Sequence, residues 1–142
     1  MRSLLDVNVL VALFDPDHAF HAAAIGWFQA HAGEGWASCP ITQNGCLRLM
    51  SGPGYPNSLP VQEVAARLAE LCANPVHQFW PDDPSMLDGR EVEIARVHGL
   101  QQITDIYLLA LAVRHGGRLV SFDASIARNA AVGARPENLL TL

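Results

Sequence analysis

The chain has 142 residues, half of them hydrophobic and 16 % charged, which suits one domain with an unstapled core and excludes a disordered chain. Acids outnumber bases by 14 to 9 and the formal charge is −5, so the composition offers no general electrostatic grip on nucleic acid. All nine basic residues are arginine, which excludes Schiff-base enzymes, the P-loop phosphate lysine and receiver domains with an obligatory lysine.

Arg2 to Asp6 reads as a short buried strand ending at an acid, followed by a short, largely apolar helix from Val7 to Phe14. Asp15-Pro16-Asp17 breaks that helix, and Asp17 is placed to cap a second from His18 to His31. Gly33-Glu34-Gly35 is a turn and Trp36 to Cys39 a strand, after which Pro40 opens a helix carrying Ile41, Leu47, Leu49 and Met50. Ser51-Gly52-Pro53-Gly54-Tyr55-Pro56-Asn57 is the clearest loop. Pro60 suits the first turn of a helix with Val64, Leu68 and Leu71, and His77 to Trp80 is a strand. Helices are expected over Ser85 to His98 and Thr104 to His115, each closed by glycine. Arg118 to Phe122 then reads as a strand, Ala124 to Ala131 as a helix, and Asn138 to Leu142 as a last strand.

Strands alternating with helices predict an α/β fold with a mainly parallel sheet, and nothing splits residues 1–142 into more than one domain. Cys39, Cys46 and Cys72 form no C-x-x-C pair, and the six dispersed histidines give no zinc spacing. Reduced thiols are expected. Asp6 and Asn8 interrupt the N-terminal apolar stretch, so it reads as neither signal peptide nor membrane span. The expectation is a soluble cytoplasmic protein.

Three aspartates occupy one kind of position. Asp6 and Asp123 each follow an apolar strand, and Asp105 follows Thr104 at the start of a helix. Any one of them alone reads as a helix cap, a role worth roughly 1 kcal/mol. Their apolar flanks, Leu4-Leu5 and Val7 at Asp6 and Val120, Phe122 and Ile126 at Asp123, are more than a surface cap requires. Carboxylates gathered at one low-dielectric edge repel one another unless a cation neutralises them. An all-oxygen set favours Mg²⁺ or Mn²⁺ over zinc and points to metal-assisted phosphoryl transfer with water as nucleophile.

At these residues the chain resembles the PIN-domain ribonucleases, in particular VapC-type toxins of toxin–antitoxin pairs. The segments that carry the resemblance are Leu4-Leu5-Asp6-Val7-Asn8-Val9-Leu10, Thr104-Asp105-Ile106-Tyr107-Leu108-Leu109-Ala110-Leu111-Ala112 and Gly117-Arg118-Leu119-Val120-Ser121-Phe122-Asp123. The resemblance implies a three-layer α/β/α sandwich around a parallel sheet. It also implies an endoribonuclease using Mg²⁺, with Mn²⁺ as a substitute, and with Asp6 and Asp105 as main ligands and Asp123 as a further acid. It further implies a homodimer and a cognate antitoxin covering the site.

One segment departs from the family. In Ile41-Thr42-Gln43-Asn44-Gly45-Cys46-Leu47-Arg48 the threonine and arginine match, but Gly45 stands where the family commonly has glutamate. Asn44 or Gln43 offers a neutral oxygen but not the missing charge. The departure implies weaker metal binding, and it supports the rival reading of a degenerate, non-catalytic RNA-binding or interaction module. Supporting roles are assigned to Thr104 and Asn8 at the acidic edge and to Arg48 as a phosphate contact, beside the plainer readings of a cap and two solvated side chains. His18 and His21 read as solvated.

Overall fold

A computed structural model describes residues 1–142. Its elements in chain order are β1 (Ser3–Leu5), α1 (Val7–Phe14), α2 (His21–His31), β2 (Trp36–Ser38), α3 (Pro40–Met50) and α4 (Val61–Cys72), then β3 (His77–Phe79), α5 (Gln102–Arg114), β4 (Arg118–Ser121) and β5 (Leu139–Thr141). The five strands form one sheet in the order β3-β2-β1-β4-β5, and every pairing is parallel.

Alternate residues of a strand face opposite sides of a sheet, and here they divide the core in two. Leu4, Ala37 and Leu119 join a cluster with α5 and the segments around Trp80, Val92 and Ala130. Leu5, Trp36 and Val120 join the other cluster, with α1 to α4. The sheet is thus covered on both faces, which explains why consecutive residues of its central strands, Leu4 and Leu5, Trp36 and Ala37, and Leu119 and Val120, are apolar on both sides. This is the expected three-layer sandwich.

Gly117 shows how tightly the layers close. A Cβ there would lie 2.6 Å from the Arg2 carbonyl oxygen and 2.7 Å from the Trp80 ring. No helix is long and apolar enough to cross a membrane.

Two expected helices do not form. Residues 85–98 make turns, a bridge from Val92 to Ala131 and one short 3₁₀ turn at Ile94–Arg96. The cause is local: Ser85 Oγ accepts from Leu87 N at 3.1 Å and Asp88 Oδ1 from Arg90 N at 2.9 Å, giving the backbone partners other than helical carbonyls. Residues 124–131 likewise reduce to turns and a 3₁₀ turn at Arg128–Ala130, because the Asp123 carboxylate binds Ser125 N. The second helix starts at His21 rather than His18. Asp17 does not cap it; instead Asp17 N donates to Asp15 Oδ1 and Phe20 N to the His18 ring.

Candidate active site

From β1 the sheet is extended towards β2 and β3 on one side and towards β4 and β5 on the other. The carboxyl ends of β1 and β4 therefore flank a topological switch point, where α/β sheets leave a crevice for ligands. Asp6 follows β1 directly, and Asp123 lies two residues past β4. Asp105 enters from the first turn of α5, which packs against both strands.

Asp6 is 6 % exposed and bound on both oxygens. It accepts from Val7 N at 2.7 Å, capping α1, and from Ser121 Oγ at 2.6 Å. The fully buried Ser121 hydroxyl in turn accepts from Asp123 N at 3.0 Å and Asn8 Nδ2 at 3.1 Å, while Asn8 Oδ1 accepts from Phe122 N at 3.2 Å. Asn8 thus faces the β4 edge rather than solvent. Asp123 accepts from Ser125 N at 2.8 Å and Ser125 Oγ at 2.6 Å. Asp105 is half-buried and has no hydrogen-bond donor in the chain.

These surroundings separate the three acids electrically. Burial, then the charges of Asp6 and Asp123, push the Asp105 carboxyl up to about 6. Burial also raises Asp6 against the pull of Ser121 and Val7, and the Asp123 charge adds to the rise. Asp123 is lowered by its Ser125 hydrogen bonds. The acids feel one another, yet no three His, Cys, Asp or Glu side chains stand close enough together to hold a metal ion between them. Chemically the set still suits a hard divalent cation: the donors are all oxygen, and Asp105 has unshared lone pairs and a repulsion that a cation would relieve.

The remaining candidates lie in various places. Thr104 does not cap α5, which begins two residues earlier with Gln101 at the cap position and no side-chain cap bond; the residue is exposed beside Asp105. Asn44 turns the other way, lining a cavity between α3 and α4 with Leu47, Leu68 and Cys72, and Gln43 Nε2 donates to Ser38 Oγ at 2.9 Å. Neither joins the acids. Thr42 is buried and accepts from Cys39 N at 3.0 Å, tying the start of α3.

Gly45 abuts α1: a Cβ there would come 2.5 Å from Val7 Cγ2. Arg48 is exposed on the same helix. His21 is not solvated; its Nδ1 bonds the Ala12 carbonyl at 2.7 Å. The cysteines are free, and burial pushes Cys39 up to about 11 and Cys46 up to about 12, too high for a nucleophile. The polar atom that sequence reading missed is the Ser121 hydroxyl. Its signal was a lone hydroxyl at the end of an otherwise apolar strand, two residues before an acid.

A family model described as PIN domain matches residues 3–132. The chain belongs to the PIN domain family. Among its PIN-domain relatives it is 48 % identical over 142 residues, all of both chains, to Ribonuclease VapC44 of Mycobacterium tuberculosis (strain ATCC 25618 / H37Rv). It is 42 % identical over 134 residues to Ribonuclease VapC39 of the same strain, covering 94 % of this chain and 96 % of that one. These matches make it a VapC-type PIN protein. A crystal structure of Mycobacterium tuberculosis VapC20, described as a Sarcin-Ricin loop cleaving toxin, superposes with a TM-score of 0.59 at 14 % identity, covering 94 % of this chain and 99 % of that one. At that identity the likeness shows the PIN fold alone.

Proposed function

We propose that this chain is the endoribonuclease toxin of a toxin–antitoxin pair and hydrolyses RNA at the edge formed by Asp6, Asp105 and Asp123. The observation that carries the reading is the full-length 48 % identity to a protein named a ribonuclease; Asp105, raised by burial and by the charges of Asp6 and Asp123 beside it, gives it a chemical location. Asp6, Asp105 and Asp123 would hold Mg²⁺ or Mn²⁺, which would supply a Lewis acid to screen phosphate charge and lower the pKa of water.

The chain's own groups do the rest. Ser121 and Val7 N hold the Asp6 carboxylate in one orientation, so that oxygen needs no reorganisation when substrate arrives. Asp105, free of internal donors, is the acid most available to a cation. On this reading the hydroxyl of Thr104, an exposed residue next to Asp105, donates to a phosphate oxygen. The reading includes a cognate antitoxin, a homodimer and a cytoplasmic setting.

The test is cleavage of total RNA with Mn²⁺, with EDTA, and with the Asp6→Asn and Asp105→Asn variants. EDTA and either substitution should abolish cleavage while circular dichroism shows the fold intact. Undiminished cleavage by both variants refutes the site. RNA binding without cleavage in any divalent metal replaces this reading with the non-catalytic module, to which the missing acid at Gly45 belongs.

A further inference from the structure

The arginines of this lysine-free chain are almost all spoken for. Arg67, Arg90, Arg96, Arg114, Arg118 and Arg135 each pair with a carboxylate. Arg2 and Arg128 donate to backbone carbonyls. Arg48 alone has no partner in the chain, and it is exposed.

Arg48 lines a groove of about 520 Å³ with Gly45, Leu49, Gly52, Gly54 and Tyr55. The inner end begins at Gly45, which abuts Val7, the residue after Asp6. The outer wall is fixed in place: the Tyr55 hydroxyl donates to the Asp15 carboxylate, and Asn57 Nδ2 donates to Asp15 at 3.2 Å and to Asp17 at 3.0 Å. Gly54 has no positive φ, and a Cβ there would meet nothing within 4 Å. Neither backbone conformation nor crowding within the chain requires glycine at that position, which lines the groove without a side chain.

We propose that this groove seats the substrate strand next to the acidic edge, with one phosphate of a single-stranded RNA on the Arg48 guanidinium and the adjoining nucleotide over Gly54 and Leu49. The idea rests on the ribonuclease reading for its occupant. Its charge argument stands separately, since one unpaired cation on an acidic protein favours one phosphate contact and no general attraction.

The experiment measures binding of a fluorescein-labelled ten-nucleotide single-stranded RNA by anisotropy, with EDTA present and NaCl varied, and in parallel KM and kcat with Mn²⁺. The unaltered chain should bind. Arg48→Gln should weaken binding about tenfold and flatten the slope of log K against log salt by about 0.7, the share of one phosphate on a single strand. Gly54→Leu should raise KM several-fold with kcat within about twofold, by filling the groove. Arg135→Gln removes an equal charge from an arginine held by Glu137 and should change neither. An unaltered chain that fails to bind, an Arg48→Gln chain that binds unchanged, or an Arg135→Gln chain that loses as much overturns the proposal. Binding with the expected Arg48 dependence but no turnover in any metal upholds the groove and refutes the nuclease reading instead.

Discussion

At the scale of single residues, Asp105 works against the fold. Its carboxyl ionises near 6 in the folded chain against 3.8 when unperturbed, so the fold tolerates it best protonated. The penalty is absent below about pH 4, grows as pH rises towards 6 and is complete above that. Asp105→Asn should therefore stabilise the metal-free protein by about 1–2 kcal/mol at pH 7, with the advantage gone at pH 4, as urea unfolding in EDTA would show. Mn²⁺ should raise the melting temperature of the parent through preferential binding to the folded state and leave that of Asp105→Asn nearly unmoved. An equal metal-induced shift in both would place the cation elsewhere. Ser121 is the opposite case, a buried hydroxyl serving Asp6, Asp123 N and Asn8 together. Ser121→Ala should cost about 1–3 kcal/mol, because it strands buried polar partners.

At the scale of elements, what was legible in the chain depended on whether local or distant partners decide a segment. The strands around Leu4-Leu5 and Leu119-Val120 and the helices carrying Val64-Leu68 and Leu108-Leu111 follow from their apolar patterns, because those residues fill the core. The segments 85–98 and 124–131 have comparable composition, yet Ser85, Asp88 and Asp123 take up neighbouring N–H groups and settle them as turns. Asp6 and Asp123 are readable as residues that follow apolar strands, and Asp105 as an acid in the first turn of a helix. The isolation of Arg48 was not, because it is defined by eight pairings elsewhere, several of them distant in sequence. The 51–59 loop, evident from its glycines and prolines, is held by contacts no local pattern displays. The Tyr55 hydroxyl lowers the carboxyl of Asp15, whose stabilising contribution is present above the unperturbed value and is lost as pH falls through the depressed one. Tyr55→Phe should lower stability at neutral pH by about 1.5 kcal/mol, with a smaller difference once Asp15 is protonated. Faster hydrogen exchange confined to residues 51–59 would locate the effect in that loop.

At the scale of the whole molecule, helices on both faces leave the strand ends as the place where polar groups can gather without disturbing a layer. The acidic balance of the composition offers no general grip on nucleic acid, yet three of its carboxylates sit at that edge, and most positive charge is spent within the protein. Binding to RNA should accordingly depend on salt far more weakly than in a basic nucleic-acid-binding protein, with a slope for the parent chain equivalent to one or two phosphates. A slope of many phosphates would mean that the internal ion pairs open on binding.

The contact between Gly45 and Val7 bears on what position 45 can hold. With only 2.5 Å between a Cβ at 45 and a Val7 methyl, glutamate cannot enter there unless Val7 moves or shrinks. Gly45→Ala alone should destabilise the protein, by about 1–3 kcal/mol for an overpacked contact, and Val7→Ala should restore much of the loss in the double variant. Position 45 and Val7 thus form one unit: Gly45→Glu alone should fold poorly, and Gly45→Glu combined with Val7→Ala should recover the fold and free the new carboxylate for the groove that position 45 lines.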